Sequence, residues 1–68
     1  MTVNDTAELK NAVALAIKDP TDHNVGLVIK IMRKNPPNVK RVMNSLPKGH
    51  AAKISGMIDA FWMKGIRL

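Results

Sequence analysis

The chain has no cysteine, a single tryptophan, a single phenylalanine and only five acidic side chains. Without cysteine there is no disulfide framework, no thiolate zinc site and no thiol nucleophile. Aromatics amount to 3% of 68 residues, too few for the successive stacking platforms of sequence-tolerant single-strand binders. Apolar runs such as Val13 to Ile17 and Leu27 to Ile29 fall far below the roughly 20 residues a membrane-spanning helix needs. No basic stretch followed by an apolar one opens the chain, so no secretory signal is read and the expected location is cytoplasmic. The start at Met1, with neither tag nor linker, predicts a complete small open reading frame.

Catalytic groupings are missing too. The hydroxyls are Thr2, Thr6, Thr21, Ser45 and Ser55, most of them explained as helix caps, with no histidine or lysine placed to activate one. There is no glycine-rich phosphate loop. His23 and His50 have no carboxylate at i+3 or i+4, so no metal site is expected and both read as surface residues. Asp5 and Glu8 fit a capping box, and Asp19 and Asp22 fit the turn around Pro20. Asp59 is different: Ser55 and Met63 occupy its i±4 positions, so its partner is sought on another helix or another molecule. An enzyme or a bound cofactor is not expected.

What is present is helical periodicity punctuated by Pro20, Pro36, Pro37 and Pro47. The first helix is predicted from about Thr6 to Lys18, burying Leu9, Ala12, Val13, Ala16 and Ile17. A second, capped by Thr21 or Asp22, runs to about Lys34. Its apolar residues Val25, Leu27, Val28, Ile29, Ile31 and Met32 cover over half the circumference, so it is expected to be central. Lys30, Arg33, Lys34 and Gly26 share the remainder. Asn35-Pro36-Pro37 ends it and opens a third helix with Val39, Val42, Met43 and Leu46 on one face. Ser45-Leu46-Pro47 closes that helix, because the residue before proline is pushed out of the helical region. The last helix spans about Lys48 to Lys64, with Ala51, Ile54, Ile58, Phe61 and Gly65 as its stripe and Trp62 on the shoulder. The expectation is a single all-α domain over residues 1–68, an array of about four short helices joined by proline-containing turns of two to four residues.

Charge is unevenly distributed. Residues 1–22 carry Lys10 and Lys18 against Asp5, Glu8, Asp19 and Asp22, a net of −2, whereas the remainder carries nine cations against Asp59 alone, a net of +8. Such a chain, at +6 overall, seeks an anionic partner, nucleic acid first. If helices two, three and four pack together, their outer faces form one basic surface. Lys30, Arg33, Lys34, Lys40, Arg41, Lys53, Lys64 and Arg67 are the candidate phosphate contacts. Helix junctions built on proline, and few asparagines, glutamines or arginines at the start of the last helix, argue against major-groove base reading. Phosphate contact and shape would dominate, without sequence specificity.

The alternative partner is an acidic protein surface. Ala52, Gly56 and Ala60 recur every fourth residue and make a smooth ridge, which packs either against the first helix or against a partner. Trp62 and Met63 extend that candidate interface, since tryptophan anchors interfaces. The last helix also has the pattern of an interfacial membrane segment, but closing a small core needs its apolar stripe.

Overall fold

The computed structural model describes residues 5–68, Asp5 by its backbone alone. Among the described residues the chain forms four α-helices and no strand: α1 (Asp5–Lys18), α2 (Asp22–Lys34), α3 (Pro36–Ser45) and α4 (His50–Met63). This is the all-α array that the periodicity predicts. The expected Asp5–Glu8 capping box rests on a side chain outside the described residues.

Local chemistry sets the boundaries. Thr21, in an extended conformation, accepts the Asn24 N–H on its hydroxyl at 3.2 Å and caps α2. Asn24 is itself buried, and its amide donates to the Asp19 carbonyl at 2.8 Å, fastening the turn around Pro20 to the first turn of α2. One residue, Asn35, separates α2 from α3, a shorter junction than expected. At φ −147° and ψ 74° it takes the non-helical backbone that a following proline imposes. Pro36 and Pro37 then occupy the first helical turn, where their missing N–H groups cost nothing. Gly49 at φ 86° precedes α4, and Gly65 at φ 78° follows it.

Gly65 departs from the sequence reading. It is exposed rather than part of the core stripe. Its left-handed backbone stops α4, with its N–H donating to the Trp62 carbonyl at 2.9 Å, the usual glycine solution at a helix C-terminus. The chain then returns toward α2, where Ile66 packs against the core.

The core joins all four helices: Leu9 and Val13 from α1, Val28 from α2, Val42 from α3 and Ile54 from α4 are the largest fully buried side chains. Ala12, Ala16, Val25, Ile29, Ile31 and Phe61 complete it. Both α1 and α2 pack against each of the other helices, whereas α3 and α4 rest on that pair and hardly touch each other. Helix two is therefore central, as expected, but it shares that place with α1. Gly26 and Leu27 exchange their expected roles. Gly26 is buried beneath Phe61 and Leu68, and Leu27 stays 38% exposed. At 100° per residue Leu27 points directly away from the midpoint of Val25 and Ile29, the direction in which α2 meets the core.

Candidate nucleic-acid interface

The eight candidate cations are all exposed, but they do not form one surface. Lys30, Arg33 and Lys34 share the outer side of α2. Lys34 and Asn35 line a small hollow with Asn38, and Arg41 lies across the same junction in a second hollow of about 130 Å³ with Asn35, Pro37 and Asn38. Lys40 adjoins Arg41 on the exposed side of α3. The short junction sets Lys34 and Arg41 in adjoining hollows, and with Lys30, Arg33 and Lys40 exposed on the same two helices it marks out residues 30–41 as the candidate strip.

The backbone adds little to this charge. Pro36 and Pro37 have no N–H to offer, and the Asn38 N–H already donates to the Asn35 carbonyl at 3.0 Å. Asn38 is also held by its side chain, whose oxygen accepts from the Thr6 hydroxyl at 3.1 Å. The positive potential here comes from side chains, not from a helix N-terminus.

Two cations are partly neutralised. Lys34 Nζ meets the Glu8 carboxylate at 3.3 Å, and Lys64 Nζ meets Asp22 at 2.7 Å. Both pairs are open to solvent, so water and salt screen them strongly. Asp59, for which a cation on another helix was one expectation, makes no ion pair among the described residues.

On α4 the geometry divides the remaining candidates. Lys53 and Lys64 lie about 180° around the helix from Trp62 at 100° per residue, on the edge away from the strip. Arg67 lies in the returning tail, between Ile66 and Leu68. Asp22 meets Lys64 and Gly26 meets Phe61, so α2 and α4 run in opposite directions. Helical side chains lean toward their own N-termini, and in an antiparallel pair those leanings converge. Arg33 accordingly reaches back from α2 and its guanidinium stands 5.6 Å from the centre of the Trp62 ring. Trp62 remains 41% exposed and meets Phe61 edge to face, with ring centres 5.4 Å apart.

The small-residue ridge does not pack against α1. Ala52, Gly56 and Ala60 are all exposed, and beyond its chain neighbours and the backbone of α4 itself nothing stands within 4 Å of where a Gly56 side chain would begin. Met63, at 88% exposure, is the most solvated large apolar residue of the described chain. His23 is exposed as expected, but His50 is half-buried. Among the described residues no histidines or carboxylates cluster as metal ligands, and no helix is long and apolar enough to cross a membrane.

The groove between α2 and the end of α4 has no counterpart in the sequence reading. Its walls are Asp22, His23, Leu27, Lys30, Phe61, Ile66 and Leu68, over a floor at Gly26. The only local signal was a leucine on a cationic helix face. The chain matches no protein-family model, no curated protein and no solved structure.

Proposed function

We propose that this is a small non-enzymatic, nucleic-acid-associated accessory or regulatory protein that holds phosphates through Lys30, Arg33, Lys34, Lys40 and Arg41. The observation that carries this reading is the one-residue α2–α3 junction, which brings cations from two helices to one edge with Glu8 as the acid bonded there. Five exposed cations on two adjoining helices suit a phosphate backbone. They lack the aromatic partners needed to stack successive bases, since the chain has one tryptophan and Arg33 already covers its ring. Binding of this kind positions a protein on nucleic acid without reading its sequence.

Fluorescence anisotropy with labelled duplex and single-stranded oligonucleotides tests the assignment. The double reversal Lys40→Glu with Arg41→Glu should weaken binding of unrelated sequences alike and lower the salt slope by about 1 for each phosphate that is no longer neutralised. Lys53→Glu, on the far edge of α4, should change the slope little. Equal effects of the two variants would remove the strip from the account.

A second reading, docking on an acidic partner protein, is favoured by the exposure of Trp62, Met63 and Leu27 beside these cations.

A further inference from the structure

Between α2, the end of α4 and the returning tail lies a cleft of about 240 Å³ whose exposed surface is mostly apolar. We propose that it receives a leucine-like side chain from an acidic amphipathic helix of a partner protein, with the partner's carboxylates meeting Lys30, Arg33 and Arg67. This rests on the second reading, an acidic partner; it shares Lys30 and Arg33 with the proposed phosphate contacts but uses neither Lys40 nor Arg41.

Three observations select that occupant. Leu27 stays in solvent on the outer face of α2, with His23 and Lys30 within one turn on either side. An aliphatic group covering it from outside removes apolar surface from water without disturbing the core. The lining brings Leu27, Ile66, Leu68 and the phenyl ring of Phe61 together with Asp22, His23, Gly26 and Lys30. Most of the surface it exposes is apolar, which suits an apolar side chain. Closed apolar cavities of about 150 Å³ already hold benzene, and this cleft is larger.

The rim then decides the partner's charge. Asp22 is the one acid lining the cleft, and Lys64 is bonded to it at 2.7 Å. Lys30 lines the wall, Arg33 follows one helical turn later, and Arg67 stands exposed between the two tail residues of the lining. An apolar groove with a cationic rim is complementary to a helix carrying leucines at i, i+3 and i+7 among carboxylates.

The test uses a short labelled peptide with leucines at i, i+3 and i+7 among glutamates, followed by anisotropy and by the fluorescence of Trp62, the only tryptophan. The peptide should bind and shift Trp62 emission. Replacing its leucines with serine should weaken binding about tenfold or more. Leu27→Ser and Lys30→Glu change exposed positions and should keep the helical circular dichroism of the parent, yet each should weaken the peptide about tenfold. Lys40→Glu with Arg41→Glu should leave peptide affinity unchanged, and Leu27→Ser should leave duplex affinity unchanged, so the two sites fail separately. The proposal is overturned if the serine peptide binds as well as the leucine peptide, or if Leu27→Ser has no effect on it. It is equally overturned if vesicles of phosphatidylserine and phosphatidylcholine shift Trp62 emission while the peptide does not.

Discussion

At Gly26 a methyl group would stand 3.6 Å from Leu68 and from the Phe61 ring, whereas at Gly56 it would meet nothing within 4 Å. Both glycines sit inside helices, where each costs about 1 kcal/mol relative to alanine. Gly56→Ala should therefore stabilise the fold by about 0.5–1 kcal/mol and raise Tm by a few degrees, on a scale of roughly 4–8 °C per kcal/mol for a domain this small. A thermal melt decides it, and a lowered Tm would mean the ridge is covered in solution. Gly26→Leu is expected to act in the opposite direction. Its longer side chain must displace Phe61 or Leu68, at a cost of about 1–3 kcal/mol. Phe61→Ala removes the ring that closes the α2–α4 contact and should cost about 3–5 kcal/mol, most of the stability of a marginal domain. Loss of cooperative urea unfolding is the expected result.

Among the elements, α1 was the most legible in sequence, because its contacts repeat at local spacing. Leu9, Ala12, Val13 and Ala16 are buried as their periodicity predicts, with Ile17 packed at the margin. The stripe of α3 was legible for the same reason at Val42, Val39, Met43 and Leu46. Helix α2 was misread at Gly26 and Leu27 because its burial is decided elsewhere in the chain. Gly26 is covered by Phe61 of α4 and by Leu68 once Gly65 turns the tail back, approaches that span half of the sequence or more. The candidate site was legible as residue types but not as an arrangement. Nothing local in the sequence reveals that α3 and α4 rest on α1 and α2 without packing on each other. The caps give an element-scale prediction. Thr21→Ala should cost about 1 kcal/mol by freeing the Asn24 N–H, whereas Asp22→Asn, which breaks a solvent-exposed pair, should cost less than about 1 kcal/mol. Chemical denaturation of the two variants separates a cap from a surface ion pair, and the reverse order would contradict this assignment.

For the molecule as a whole, a net charge of +6 meets a fold that sorts cations by edge. Lys34 and Arg41 meet at the α2–α3 junction, Lys30 and Arg33 lie toward α4, Lys64 is tied to Asp22, and Lys53 faces away from Trp62. On the proposed reading, such an arrangement would contact anions through a limited strip rather than over the entire surface. The number of counterions released on binding should therefore match that strip and not the total charge.

The most direct measurement of this is the anisotropy of a labelled duplex titrated with the protein across a series of salt concentrations reaching about 150 mM. The account predicts binding that persists at the upper end, with a log–log slope of about three to five, one phosphate for each engaged cation of residues 30–41. No binding, or binding abolished at the first increase in salt, would contradict it.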